Sequence, residues 1–586
     1  MIIVGYSGID NSVEFARNNP DLRPGEERMV QGLDSAATLV VDGKVIAAAE
    51  EERFCGQKHT GKFPSAAISF CLQEAGLSMN DIDFIAHGFN YRLAAPFYKK
   101  FDPAIYEHVY KPELQLRLCE RSLGLRNAAE RFISVGHHLA HAASAYFPSG
   151  YDKALCVVCD GMGELESFTA FEVDGGEFKK LAQVTIPNSI GILYSLVTRH
   201  LGFDFNADEY KLMGLAPYGD PVPFRQFFND FVVLGEQGKF EIRYELLTKS
   251  DVRDAHFRDV LASFAEIISS PSDMDEMKQI HYDFAAAAQE CVERVLLHAI
   301  GYWQQATGLK QFCMAGGVAL NCTFNGKLIE RNIFDRIYIQ PAAGDDGTSL
   351  GAALFTANRK GEDVTASRKQ QMPFYGPSST HDEILRAVEK FRDKVIVTEF
   401  DSVEETACDA AEGVADDLVQ AWFQGAMEFG PRALGNRTIL ANPASPDIKS
   451  RVNMIIKLRE GFRPFAPAVN AEHAAKYFDI DIDATPFEYM LATCQVKPEW
   501  RDRLPGITHV DGSARVQTVF EHRNPGFYHL INEIGIRTGV YCTLNTSFNV
   551  MSQPMIALPD TAVETFLRVK IDRLYMGRVR LSKPEE

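Results

Sequence analysis

The chain has 586 residues, too many for one ordinary hydrophobic core, so two or three domains are expected. Hydrophobic residues make up 46% and charged residues 24%, an ordinary composition for a soluble globular protein. The net charge of −19 argues against general nucleic-acid binding and leans toward neutral or cationic substrates, although solubility alone explains it more simply.

The N-terminus "MIIVGYSGID" reads as a strand and has neither a basic region nor a small-residue cleavage site, so no signal peptide is expected. No apolar run reaches the roughly eighteen residues of a membrane span. Residues 11–31 are polar, with Pro, Gly and many charges, and read as a loop inserted near the start of a domain. "SAATLVVDGKVIAAAEEERF" is a β-hairpin with a "DG" turn. "SAAISFCLQEAGL" is a helix ending at Gly76, "DFIAHGF" a strand, and residues 103–130 are helical. "FISV" is a strand, Gly136 turns the chain, and the Ala-rich "HHLAHAASAY" is a helix. "ALCVVC" and "LESFTAFEVDGGEFKKLAQV" give further strands and a hairpin. "QFCMAGGVALNCTFNGKLIE" and "RIYIQPAAGDDGTSLGAALFTAN" are each a strand, a Gly-containing turn and a helix. The order restarts in a similar form without a strict sequence repeat. The expected division is a first domain over 1–365, a linker over 366–380 and a second α/β domain over 381–586. The eleven cysteines lie mostly in apolar segments and fit a reducing cytoplasm. Cys156 and Cys159 form a CxxC inside a strand, where they face opposite sides and suit neither redox nor zinc chemistry.

His137 and His141 are four residues apart, so on a helix they share one face and can grip one cation, while His138 points elsewhere. The pair alone is equally consistent with two packed core histidines. Asp160, after "ALCVVC", and Asp345, in "PAAGDDGTSLG", each follow a strand beside a Gly turn, where a carboxylate can face a cleft. Asp346 competes with Asp345, and each Asp alone is more often a turn former. Two imidazoles with two carboxylates suit iron, manganese or zinc rather than calcium. Gly316 and Gly317 sit between a strand and a helix and can present backbone N–H groups to a phosphate. In "DEYKLMGLAPYG", Lys211 can reach an anion near Gly214, or Glu209 and Lys211 form a solvated pair.

The second region concentrates cations in apolar motifs. Arg432 and Arg437 lie in "EFGPRALGNRTILANP", Lys457, Arg459 and Arg463 in "KLREGFRPFAPAV", and Arg515 in "HVDGSARVQTV". "TLNTSFNV" adds Ser547 among hydroxyl and amide groups. Singly each Arg is most simply a salt bridge. Together, in an acidic protein, they point to a dianionic small substrate such as a phosphate.

In this order, "SAATLVVDGKVIAAAEEERF…KH", "HHLAHAASAYF", "DGMGE", "YKLMGLAPYG", "GGVALN", "EFGPRALGNR", "RPFAP" and "NTSFN" resemble the O-carbamoyltransferases of natural-product biosynthesis, over nearly the whole chain. That family includes the nodulation-factor, cephalosporin and aminoglycoside carbamoyltransferases. The resemblance implies an N-terminal actin-like ATPase (Kae1-like) domain followed by a YrdC-like α/β domain. It implies that the YrdC-like domain makes carbamoyl adenylate from carbamoyl phosphate and ATP, with Mg2+. The intermediate then passes internally to the Kae1-like domain, where a metal-assisted site carbamoylates a hydroxyl of the acceptor.

By position, the resemblance assigns the metal, iron(II), to His137, His141, Asp160 and Asp345, and places Lys58 near the adenylate. It places Gly316, Gly317 and Asn321 around the nucleotide, with Glu209, Lys211 and Gly214 beside them. Lys457, Arg459 and Arg515 would hold carbamoyl phosphate, with Arg432 and Ser547 close by. Relatives carry His-Asp at the first hairpin, whereas here Leu33 precedes Asp34. The general base then falls to His59, His138 or Asp34, or to none of them. The stretch after "NTSFN" ends in Ser552-Gln553-Pro554 where relatives have Gly-Glu-Pro. The acidic balance leans toward a cationic acceptor, such as an aminoglycoside or a saxitoxin-type guanidinium alkaloid. No nucleic-acid or membrane partner is expected, a homodimer is compatible, and the location is cytoplasmic. A tRNA threonylcarbamoyl-type transferase would want a basic face, and an actin-superfamily ATP-binding protein without transfer activity would not need the histidine pair.

Overall fold

The computed structural model describes residues 1–9, 17, 20, 28, 32–101, 103, 106–125, 127–248, 257–271, 276–365, 373–454, 461–462 and 465–584. The polar insertion 11–31 therefore lies mostly outside the described residues. The chain forms two compact units, one of Met1–Glu51 with His59–Gln370 and one of Glu52–Lys58 with Gln371–Glu586.

The first unit is built on two five-stranded sheets. One contains β1 (Ile2–Tyr6), β2 (Ala36–Val41), β3 (Lys44–Glu50), β4 (Phe84–His87) and β5 (Phe132–Ser134), in the order β3-β2-β1-β4-β5. The hairpin pairs are antiparallel, and β4 and β5 add in parallel. The other contains β6 (Lys153–Cys159), β7 (Glu166–Asp174) and β8 (Glu177–Thr185). After a small ribbon of β9 (Val232–Leu234) and β10 (Phe240–Ile242), β11 (Gln311–Ala315) and β12 (Arg336–Ile339) complete it, in the order β12-β11-β6-β7-β8. Its pairings repeat the first sheet strand for strand. Two copies of one topology in one unit is the actin-like ATPase architecture.

Local chemistry explains the elements. The β2–β3 turn uses Asp42 and Gly43, both with positive φ, which matches the twist of a tight hairpin. The helix His137–Ser149 starts after Gly136 and stops at Gly150, which adopts the left-handed conformation that ends helices. The helix Asp346–Arg359 packs against it. At Gly351 a Cβ would stand 1.7 Å from the Ala140 carbonyl oxygen, so only glycine lets the two backbones approach this closely. The expected helix over 103–130 is interrupted. Pro112–Leu123 is a regular helix ending at left-handed Gly124, and a separate turn, Ala128–Arg131, follows.

The second unit has one eight-stranded sheet. Its strands are β13 (Ile396–Glu399), β14 (Gln420–Phe423), β15 (Arg437–Ala441), β16 (Ala466–Asn470), β19 (Gln517–Val519), β20 (Cys542–Ser547), β21 (Arg573–Met576) and β22 (Val579–Ser582). The order is β13-β22-β21-β14-β15-β20-β16-β19, and β17 (Cys494–Gln495) pairs separately with β18 (Ser513–Ala514). Two helices, Val403–Ala415 and Pro525–Thr538, cover it. Ala407, Ala410, Ala411 and Val414 of one meet Phe527, Leu530, Ile531 and Ile534 of the other over Trp422 and Leu440. The helical spacing of these apolar positions buries one face of each helix. In the described part of the expected linker, Gly376 N–H donates to the Met427 carbonyl, and Met427 N–H to that of Pro377, so residues 376–377 join the second unit.

Candidate active site

The duplicated topology brings the candidate metal ligands of the first unit to one point. His137 and His141 lie in the helix after β5, and Asp345 precedes the helix after β12, its topological counterpart. Asp160 follows β6, the first strand of the second half. One donor atom from each of the four lies within 4.8 Å of the others. The Nε2 atoms of His137 and His141 are 3.1 Å apart. His137 Nε2 is 3.4 Å from Asp160 Oδ2 and 3.3 Å from Asp345 Oδ1, and His141 Nε2 is 3.5 Å from Asp345 Oδ1. Nitrogen and oxygen ligands at about 2.0–2.1 Å from a tetrahedral ion stand about 3.3 Å from one another. The observed spacings match that value, so the donor set fits a first-row divalent cation.

The surroundings orient these donors. His137 Nδ1 lies 3.0 Å from the Gly88 carbonyl oxygen and, donating to it, leaves the Nε2 lone pair facing the cluster. His141 Nδ1 is buried without a hydrogen bond among the described residues, so its tautomer follows whatever Nε2 binds. Gly317 N–H donates to Asp160 Oδ1 at 3.0 Å, which ties the Gly-Gly turn to the ligand. Burial opposes charge on His137, but Asp345 and Asp160 together hold its pKa well above the usual histidine value. Burial likewise opposes charge on Asp160, yet the hydrogen bond from His137 and the neighbouring histidines hold its carboxyl far below the carboxylate range. Both shifts describe a point that attracts positive charge. Asp345, rather than Asp346, faces the histidines. Asp346 is buried, and burial with Glu50 and Asp34 nearby raises its pKa.

His138 points away, as its position predicts. Its Nδ1 is 2.7 Å from Thr169 Oγ1, and burial holds its pKa well below the ordinary value. His59 Nδ1 lies 3.0 Å from Asp34 Oδ1, so these two form a His–Asp couple. A shallow open cleft adjoins the cluster, lined by residues that include His137, Asp345, Ser7, Gly8, Phe89 and Met162.

The nucleotide candidates divide. Asn321 accepts from Phe324 N–H, capping a helix, and exchanges two hydrogen bonds with Gln289. Gly214 is buried inside the helix Glu209–Leu215. Lys211 does not pair with Glu209. It pairs with Asp208 at 2.9 Å, because residues three apart meet on a helix and residues two apart do not. Glu209 instead accepts from Ser195 Oγ and Asn206 N–H, and burial raises its pKa.

Two family models match the chain. "Carbamoyltransferase N-terminus" matches residues 30–354 and "Carbamoyltransferase C-terminus" residues 411–583. The chain belongs to the carbamoyltransferase family. It is 39% identical to nodulation protein NolNO of Sinorhizobium fredii, over 94% of this chain and 80% of that protein. It is 35% identical to nodulation protein NolO of Bradyrhizobium diazoefficiens, over 76% of this chain and 78% of that protein. Among solved structures, component A of the (R)-2-hydroxyglutaryl-CoA dehydratase of Acidaminococcus fermentans aligns with 61% of this chain and 97% of its own, at 15% identity and a TM-score of 0.32. The chain is a transferase, and no helix among its described residues is long and apolar enough to cross a membrane.

In this carbamoyltransferase the second unit collects its polar motifs at one end of the large sheet. Thr438 pairs with Ser547, Ala466 with Asn545 and Ala468 with Gln517. The start of β15, the end of β20 and the approaches to β16 and β19 therefore lie together, and Arg432, Arg515 and Ser547 sit on them. Asn545 Nδ2 donates to the Ala433 carbonyl and to Gln517 Oε1, lashing the Arg432 loop down. Arg432 and Arg515 are half-buried. Ser547 Oγ donates to Asn549 Oδ1. Arg437 is fully buried and donates to the carbonyls of Gln424, Gly425, Asn436 and Pro377, so it is a structural cation rather than a phosphate ligand. Lys457, Arg459 and Arg463 lie outside the described residues. Lys58 is half-buried, in the short segment grouped with the second unit.

Two supporting carboxylates escape a reading of the sequence. Glu164 accepts N–H groups from Asn90 and His137, joining the β4 loop to the start of the histidine helix. Glu428 Oε1 accepts from the backbone N–H of Leu434 and Asn436. Each lies inside a quoted motif, "DGMGE" and "EFGPRALGNR", but its partners are set by tertiary contacts.

Proposed function

We propose that this enzyme is an ATP-dependent O-carbamoyltransferase that works in two steps. The second unit converts carbamoyl phosphate, ATP and water to carbamoyl adenylate, phosphate and pyrophosphate. The first unit then transfers the carbamoyl group to an acceptor hydroxyl, with AMP as leaving group. The observation that carries this reading is the His137, His141, Asp160 and Asp345 cluster within a chain of this family.

A divalent cation, iron(II) by family resemblance, would be held by those four residues and would polarise the carbamoyl carbonyl. The His59–Asp34 couple supplies the base. Asp34 orients the imidazole through Nδ1, and the other ring nitrogen takes the proton of the acceptor hydroxyl. This couple would replace the histidine that Leu33 displaces. Gly316 and Gly317 would line the adenylate side of the first unit's site without donating to its phosphate, since their N–H groups are bonded to the Ala343 carbonyl and to Asp160 Oδ1. Lys58 would supply a cation to an anionic substrate. Arg432, Arg515 and Ser547 converge on one sheet end and, with Lys457 and Arg459, would hold the anionic substrates of the first step. The acceptor is a natural-product hydroxyl, and the acidic balance favours one that carries positive charge.

The test is incubation with ATP, Mg2+ and carbamoyl phosphate without acceptor. Pyrophosphate release that requires carbamoyl phosphate is expected. Arg515→Ala should abolish it, and His141→Ala should spare it while blocking transfer. Conversion of ATP to ADP alone would refute the proposal.

A further inference from the structure

One cluster of metal-ligating side chains in the second unit takes no part in the proposed chemistry. Cys408 lies on the helix Val403–Ala415, and His529 and Glu533 lie one turn apart on the helix Pro525–Thr538. One donor atom from each falls within 4.8 Å of the others, and all three residues are half-buried. Cys408 Sγ and His529 Nε2 are 3.8 Å apart. Sulfur at about 2.3 Å and nitrogen at about 2.0–2.1 Å from a tetrahedral ion are separated by about 3.6 Å.

We propose that Cys408, His529 and Glu533 form a binding site for a zinc-class divalent ion that bridges the two covering helices. The donor set is mixed, one sulfur, one nitrogen and one carboxylate oxygen, which selects a borderline-soft ion over magnesium or calcium. Three protein ligands leave a fourth position for water. Glu533 accepts from Arg537 through Oε2, and its other oxygen serves as the ligand. An ion takes cysteine as thiolate, so its binding displaces the Cys408 thiol proton to solvent.

The site also has a route to the sheet end. The His529 helix is capped by Asn524, which accepts from Phe527 N–H and donates to Asn436 Oδ1 at 2.9 Å. Asn436 belongs to the loop that carries Arg432. An ion that fixes the helix pair therefore also fixes one support of that loop.

Cobalt(II) titration of the full-length, chelator-stripped protein tests the site. The candidate centre of the first unit has no sulfur ligand, so a thiolate-to-cobalt charge-transfer band reports only on a cysteine. A saturable band at about one equivalent per chain, bleached by zinc(II), is expected. Cys408→Ser and His529→Ala should abolish it, and Cys55→Ser, at an exposed cysteine outside the cluster, should retain it. Glu533→Gln should keep the band and weaken the affinity about tenfold, which separates loss of a ligand from loss of fold. No band in the wild-type protein, or a band that survives Cys408→Ser, would overturn the proposal.

Discussion

The histidines His137, His138 and His59 do three different things, and their surroundings say why. His137 has its Nδ1 on a carbonyl and its Nε2 toward two carboxylates, so it is built to meet a cation. His138 has its Nδ1 on Thr169 and is held neutral by burial, which suits a support rather than a base. His59, far away in sequence, has a carboxylate on Nδ1, which orients its ring, and on the proposed reaction it is the base. His59→Ala should therefore lower the transfer rate by about 10²–10⁴ with pyrophosphate release unchanged. His138→Gln, which keeps a polar group beside Thr169, should lower it far less. Single-turnover transfer from preformed adenylate would measure both, and equal losses would remove His59 from the base role. The helix spacing of His137 and His141 was legible because i and i+4 share a face. The pairing of Lys211 with Asp208 was harder to read, since it depends on where the helix starts.

At the scale of elements, the ligands are placed by a contact between two helices. His137 and His141 ride on one, and Asp345 stands at the start of the other. The two cross where Gly351 meets the backbone of Ala140. Gly351→Ala must push them apart, at a cost of about 1–3 kcal/mol for overpacking. Because the donor atoms of His141 and Asp345 are 3.5 Å apart across this contact, a shift of a few tenths of an ångström weakens any shared ion. The expected outcome is a lower thermal midpoint together with less bound metal per purified chain, measured by elemental analysis. Normal metal content in a destabilised variant would show that the crossing does not set the ligand geometry. The individual elements were legible, because alternation, "DG" and "GG" turns and Ala-rich runs act locally. The duplication showed only as an order of elements that restarts in a similar form, because its sheet topology resides in which strands pair. β1 with β4 and β6 with β11 join segments some 80 and 155 residues apart, and no local signal specifies that choice. Glu164 escaped for the same reason, since its hydrogen bonds reach Asn90 and His137 from a loop beyond β6.

At the scale of the whole molecule, the charge must serve two opposite demands. ATP and carbamoyl phosphate are anions, yet the chain carries a net charge of −19. On the proposed two-step reaction, local arginines would resolve this for the first step, since Arg432 and Arg515 lie together at one sheet end and would present cations to a phosphate before it meets the bulk field. The pocket proposed for the acceptor has no lysine or arginine among its described lining residues. The pocket next to His137 and Asp345 is lined by small, apolar and hydroxyl groups with the metal-site carboxylate at its edge. A cationic acceptor would be drawn there by the overall field, whereas a neutral one would arrive by diffusion alone. Salt discriminates between them, because the screening length falls from about 30 Å at 0.01 M to about 8 Å at 0.15 M. For a cationic acceptor, kcat/KM of transfer should fall on the order of tenfold across that range, while kcat at saturation stays constant. For a neutral polyol acceptor, kcat/KM should not change. If the preferred acceptor in a mass-shift panel is neutral and its kcat/KM is insensitive to salt, the acidic surface serves solubility and the acceptor is chosen by pocket shape.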